Sequence, residues 1–219
     1  MKNKVYFSLF FIIALGAFYL WWSHLDTEKK VFAHSEQNLF LRVDRIRDIK
    51  VKKKHIETPE AVRAVYMSSW IASSPKLRSK LVDFILDSRI NALVLDIKDY
   101  SGLIAFDIEN EIIDNYKTDS NRIPDIDDFL KELHDKDIYV IGRVTLFQDP
   151  LLSEKKPEFA FKRKDNGKVW KDKKGLAFIN TNKEEAWQYF VEIARESYER
   201  GFDEINFDYI RYPSDGNIS

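Results

Sequence analysis

The chain has no cysteine among its 219 residues. A disulfide framework, a thiolate metal site and a cysteine nucleophile are therefore excluded. Glycine (7) and proline (6) are scarce, which rules out collagen-like and linker-like chains. Histidine is scarce too. His24, His34, His55 and His134 have no zinc-ligand spacing, and His134 falls in a predicted helix among acidic neighbours, where a surface role is expected. Charge of one sign is not in excess. The formal net charge is −1, so no global basic field points to nucleic acid. The phosphate-binding glycine motifs are missing: the first strand–helix turn reads SSWIASS, and no Walker sequence follows. Ser68 and Ser69 lack the Gly-x-Ser-x-Gly elbow of a serine hydrolase. The residues call for no metal and no cofactor. What remains is 44% hydrophobic and 32% charged, a globular composition. Aromatics at 14% allow a sizeable core or an aromatic-lined cleft.

One long hydrophobic run is present. Residues 5–22 (VYFSLFFIIALGAFYLWW) are 18 positions without a charge. As a helix they span ~27 Å, enough to cross the hydrocarbon core of a bilayer. Lys2 and Lys4 precede the run, Trp21 and Trp22 close it, and the following flank is of mixed charge. The expectation is an uncleaved single-pass membrane anchor (1–22) with the N-terminus cytoplasmic and the rest extracytoplasmic. A cleaved signal peptide is the rival, with Val31-Phe32-Ala33 as a distant cleavage site. Residues 23–60 read as a charged stalk. Its basic stretch 42–55 is either a contact for anionic lipid or wall polymer or a solvated connector.

From residue 61 the pattern becomes regular. Residues 62–70 (VRAVYMSSW), 91–98, 138–147 and 204–210 read as strands. Helices are predicted over 76–88, with Leu77, Leu81, Phe84 and Ile85 on one face, over 124–135, with Ile126, Phe129, Leu130 and Leu133, and over 183–200, ended by Gly201. A short hairpin is expected near 102–107. A hairpin excursion is expected within 149–182, turning at Asp165-Asn166-Gly167. This β-α alternation means a parallel sheet with right-handed crossovers, either doubly wound or a (β/α)8 TIM barrel. A complete barrel takes ~250 residues. The expected fold is therefore α/β, the N-terminal half of a (β/α)8 barrel spanning 61–219. The other half would be missing from this polypeptide or supplied by another chain.

Polar residues gather at the C-terminal ends of the predicted strands, where barrel enzymes keep their sites. Alternation puts Asn206 and Asp208 on one face, Asp96 and Lys98 on one face with Asp99 opening the loop, Arg143 with Thr145, and Tyr66 with Ser68 and Trp70. Charges inside apolar strands are costly unless paired or functional. Two readings stand: an ion-pair network that fixes the rim, or a polyol site. In the second, carboxylates serve as acid, base or nucleophile, Arg and Lys fix hydroxyls or acid groups, and Tyr and Trp stack on sugars. Glycoside cleavage needs two carboxylates, one to protonate the leaving oxygen and one to attack the anomeric carbon or activate water.

The stretch 201–213 (GFDEINFDYIRYP) resembles the signature of a bacterial glycosyl hydrolase domain family, also named domain of unknown function 4015. AVYMSSW, NALVLDIKDYSGLIAFD, GRVTLFQDPLL and the long connection GKVWKDKKGLAFINTNKEEAWQYFVEIARE resemble the same family, in order, from Ala61 to about Asp215. The resemblance implies a TIM-barrel domain related to carbohydrate-active enzymes. It places Asp208 where α-amylase-like barrels hold the fourth-strand nucleophile, with a basic residue, Arg211, three positions on. Two departures follow. Asn206 stands where those enzymes have arginine, and their general acid lies on a fifth strand beyond this chain. Strand-end position and the resemblance together give the expected set: catalytic Asp208, Asp96 and Asp99, with Tyr66, Trp70, Lys98, Arg143, Tyr209 and Arg211 contacting a carbohydrate. A non-catalytic glycan-binding or wall-associated protein, or an inactive truncated fragment, are the alternatives.

Overall fold

The computed structural model describes residues 55–213. The expected anchor, most of the stalk and residues 214–219 lie outside the described residues. Among the described residues no helix is long and apolar enough to cross a membrane. The described chain runs β1 (Ala64–Met67), α1 (Ser69–Ala72), α2 (Pro75–Leu86), β2 (Ala92–Lys98), α3 (Glu111–Tyr116), α4 (Ile126–Asp135), β3 (Tyr139–Thr145), α5 (Pro150–Lys155), α6 (Glu184–Arg200) and β4 (Glu204–Asp208). The four strands form one parallel sheet in the order β1-β2-β3-β4. The α/β alternation expected from the sequence is present.

Period-2 alternation gives the sheet two faces. Leu93, Leu95, Ile97, Val140 and Val144 join the main core together with Phe129, Leu133, Tyr189, Phe190 and Ile193 from the helices. Each such buried side chain stabilises by roughly 1.5–3 kcal/mol relative to exposure. The other face holds only a small cluster of Ala92, Tyr139 and Ile141, with Ile56 and Val94 against it. Ile56 belongs to the expected stalk, yet it packs on the sheet, and its amide donates to Asp203 Oδ1 at 2.8 Å. Residues 55–58 are thus part of the packed domain.

α4 buries Ile126, Phe129, Leu130 and Leu133, as its spacing predicts. α6 buries Ala186, Tyr189, Phe190 and Ile193, and Gly201 caps it at φ +123°. α2 departs from expectation. Its buried residues are Val82 and Ile85, while Leu77 and Phe84 are about half exposed. The cause is Arg78, which lies over the Phe129 ring at 4.6 Å and pairs with Asp125. The inward stripe therefore runs 78–82–85 and includes a charge that an apolar pattern leaves out. The hairpin near 102–107 takes the form of an antiparallel bridge between Lys98 and Ile104, with Gly102 turning at φ +88°. The excursion after β3 pairs Lys162 with Val169 and Lys171 with Ala177, and it seals Phe161, Trp170 and Phe178 in a core of their own.

Candidate functional site

The register sets Asp96 of β2 beside Arg143 of β3, and Arg143 beside Asn206 of β4. On the face away from the helices these strand ends meet. Arg143 Nη1 donates to Asp96 Oδ1 at 2.7 Å, and its Nε donates to Asp208 Oδ2 at 2.8 Å. Its Nη2 also lies 2.8 Å from Asp208 Oδ2. The Tyr66 hydroxyl donates to Asp96 Oδ2. Both Asp96 oxygens are therefore occupied as acceptors, and the residue is buried. The Arg143 guanidinium lies 5.8 Å from the Tyr66 ring and 5.9 Å from the Tyr209 ring. Arg211 lies 5.0 Å from the Tyr209 ring on the exposed side.

Asp208 differs from Asp96 in exposure. Its side chain is 43% exposed, against 3% for Asp96. Burial alone would raise the Asp208 pKa. The Tyr209 amide, donating to Oδ1 at 2.6 Å, and Arg143 outweigh that, so its carboxyl titrates below the ordinary range. Partial burial works against charge on Arg143, but its bonds to Asp96 and Asp208 prevail and raise its pKa. The Tyr66 hydroxyl is pushed up, by burial first and by its bond to Asp96 second. Tyr209 has φ +56°, a left-handed conformation uncommon for a bulky residue. The Tyr209 amide is the one that donates to the Asp208 carboxylate. Strained backbone of this kind collects at functional sites, and no local sequence signal announces it.

Four expected site residues sit elsewhere or differently. Lys98 does not share Asp96's surroundings. A register shift between Asp96 and Lys98 sets Lys98 opposite Val144, which breaks the alternation. Lys98 is fully buried, donates to the Thr145 carbonyl at 2.6 Å, pairs with Asp149 Oδ2 at 2.9 Å and lies 5.4 Å from the Phe190 ring. It is closed off from any substrate. Thr145 is fully buried beside Asp208 in the register, and its hydroxyl has no hydrogen-bond partner among the described residues. Trp70 is not on β1, because the strand ends at Met67 and Ser68 caps α1 by accepting from the Ile71 amide. The indole is 65% exposed, with the Arg122 guanidinium 4.0 Å from its ring. Asp99 belongs to this second cluster. It accepts from Arg122 at 3.1 Å and from the Ser101 amide at 2.9 Å, while Arg122 also donates to Ser69 Oγ at 2.6 Å. Sequence reasoning missed Arg122, whose partners lie 23 and 53 residues away.

His134 is a further correction. It is buried rather than superficial, with Nε2 at 3.1 Å from Asp203 Oδ2. Asp203, just before β4, also accepts from the Val140 amide at 2.7 Å. His55 lies 3.6 Å from Asp203 Oδ1 and stacks on Tyr198 at 4.3 Å between ring centroids. Among the described residues no group of three or more metal-ligating side chains is arranged to hold an ion.

The chain matches a family described as "Putative glycosyl hydrolase domain" over residues 64–219. A hypothetical protein from Ruminiclostridium thermocellum ATCC 27405 has a similar solved structure, at 38% identity and a TM-score of 0.67, covering 71% of this chain and 80% of that one. A noncanonic maltogenic alpha-amylase from Thermotoga neapolitana is matched at 21% identity and a TM-score of 0.43, over 66% of this chain and 38% of that one. A GH31 family sulfoquinovosidase from E. rectale is matched at 18% identity and a TM-score of 0.45, over 72% of this chain and 24% of that one. The chain thus spans well under half the length of these two enzymes. No match is found among curated proteins. With its match covering most of the chain, from β1 onward, the protein belongs to this glycosyl hydrolase domain family.

Proposed function

We propose that the strand-end cluster binds a carbohydrate and cleaves a glycosidic bond, with Asp208 as the ionised carboxylate that attacks or stabilises the anomeric carbon. One observation carries this reading. A single arginine on β3 bridges two carboxylates from the strands on either side of it, Asp96 of β2 and Asp208 of β4, sealing Asp96 and leaving Asp208 open. Asp96 then orients Arg143 and Tyr66. Tyr209 and Arg211 flank the sugar, and Tyr66 offers a half-exposed ring. The fold reading is one wall of a (β/α)8 barrel. The order β1-β2-β3-β4 is an unbroken progression without the reversal of a doubly wound sheet. The run 5–22 makes the chain a single-pass membrane protein with this domain outside the cytoplasm. Digestion of intact cells by an external protease checks that placement: a domain resistant until lysis would refute it.

The chemistry also needs a proton donor to the leaving oxygen. Asp208 titrates low, and both Asp96 oxygens already accept bonds. Asp119, a described carboxyl held above the ordinary range by burial and then by its bond to Asp107, is not joined to Arg143. This favours one second reading, a glycan-binding domain without turnover. Polysaccharide hydrolysis by the full chain separates the two. For the enzyme, Asp208→Asn lowers turnover by ~10²-fold or more while the melting profile stays near wild type. Equal turnover by the variant removes Asp208 from the mechanism. Sugar binding with no product from either protein selects the second reading.

A further inference from the structure

The strongest unassigned feature is the excursion between β3 and α6. Residues 162–174 carry seven basic side chains against two acidic ones, in a chain whose total charge is −1. Both acids are engaged. Asp165 pairs with Arg163, and the Asp172 carboxylate accepts the Lys174 and Leu176 amides. Lys164, Lys168, Lys171, Lys173 and Lys174 are exposed and make no ion pair with a described residue. Like charges packed this closely repel one another unless an anion neutralises them.

The lysines ride on a fixed scaffold. Phe161, Trp170 and Phe178 close the hairpin from within. A bridge from Gln148 to Phe178 ties it to the end of β3. The Phe161 ring lies 5.8 Å from the ring of Tyr212, four residues after Asp208. The basic surface therefore adjoins the segment that carries the candidate nucleophile.

We propose that hairpin 162–174 docks an anionic glycan polymer, one bearing carboxylate or phosphate groups, and feeds it to the strand-end site. This rests on the carbohydrate reading above and narrows its substrate class. Nucleic acid fits less well, because single-strand binding uses exposed aromatic platforms and the hairpin's three rings are buried. A bilayer surface fits less well too, since no large apolar side chain among residues 162–174 is exposed for insertion.

The test compares the detergent-solubilised full chain with a variant in which Lys164, Lys168, Lys171, Lys173 and Lys174 are all changed to Gln. The basic stretch 42–55 is common to both proteins, so their difference reports the hairpin. The probes are polygalacturonate, dextran phosphate, neutral dextran, single-stranded DNA and phosphatidylglycerol vesicles. The expected result is a roughly tenfold or larger loss of affinity in the variant for one of the two anionic glycans, steeper at low salt, with dextran binding unaltered. Which of the two responds identifies carboxylate or phosphate. Equal affinities in the two proteins, or a loss confined to DNA or vesicles, overturns the proposal. Asp208→Asn is run alongside: retained polyanion binding with unchanged turnover would refute the nucleophile and leave the docking surface standing.

Discussion

Two ion pairs link β2 to the β3 side of the sheet, and they lead opposite lives. Asp96–Arg143 lies on the open face, reaches a third partner in Asp208 and stays in contact with solvent through it. Lys98–Asp149 lies on the helical side with both side chains at 0% exposure. Two positions along one strand, Asp96 and Lys98, separate a solvent-facing cluster from a sealed pair. Each joins a carboxylate to a cation. Burial and the number of free lone pairs decide which pair can meet a substrate.

The largest effect is expected at the sealed pair. Lys98→Ala leaves the Asp149 carboxylate buried without its cation, and breaking a buried pair costs about 3–5 kcal/mol. Asp149 also caps α5 by accepting from the Leu152 amide at 2.8 Å, and Gly102 approaches it so closely that a Cβ there would collide with Oδ1. Urea unfolding measures the loss. Lys98→Met combined with Asp149→Asn should recover part of it, because the combination leaves no isolated charge and an amide can still cap the helix. A single variant as stable as wild type would show that water reaches the pair and that the two sites do not differ as described.

The open cluster should respond less in stability and more in titration. Arg143→Met removes the partner of Asp96, and a buried carboxylate left short of a donor costs on the order of 1–3 kcal/mol. Asp208 loses one of the groups that hold its pKa down, while the Tyr209 amide remains. Its pKa therefore moves up toward the ordinary carboxylate value. The sign follows from linkage. A depressed carboxyl contributes stability above its unfolded pKa and loses it as pH falls through the folded value. In the variant that contribution shrinks, and the acid limb of any pH–activity profile moves to higher pH. Carbon-detected NMR of the Asp208 carboxyl checks the shift, and an unmoved titration would sever Arg143 from Asp208.

Much of this comparison was legible in the sequence, and the failures share a cause. Alternation within each strand, with the rule that parallel-barrel sites lie at strand C-terminal ends, brought Asp96, Arg143 and Asp208 together. It failed at Lys98, where two residues of β2 stand against one of β3, and a bulge is fixed by the loop returning at Ile104. It failed at Trp70, where the Ser68 cap turns the chain helical before the strand pattern ends. It misjudged His134 because Asp203, its partner, lies 69 residues away. Local periodicity reports which way a side chain points. It does not report what a distant segment brings to meet it.

The smallest effect is expected at the opposite end of the strands, where Asp203 gathers His134, the Val140 amide and the Ile56 amide. His55 packs beside this carboxylate and on the Tyr198 ring. Burial lowers its pKa below the ordinary 6.5, Asp203 pulls it back up and His134 pushes it further down. With the folded value below the unfolded one, the neutral ring is the form the fold accepts. The contribution is complete above pH 6.5 and drains away as pH falls through the folded pKa, because the unfolded chain binds the proton more readily. His55→Gln keeps a planar polar group there and removes the titration. Thermal melts at pH 8 and pH 5 should therefore differ less for His55→Gln than for wild type, with other carboxyls common to both. If the two proteins lose equal stability on acidification, the junction at residues 55–58 is held by Ile56 and the Asp203 backbone contacts alone.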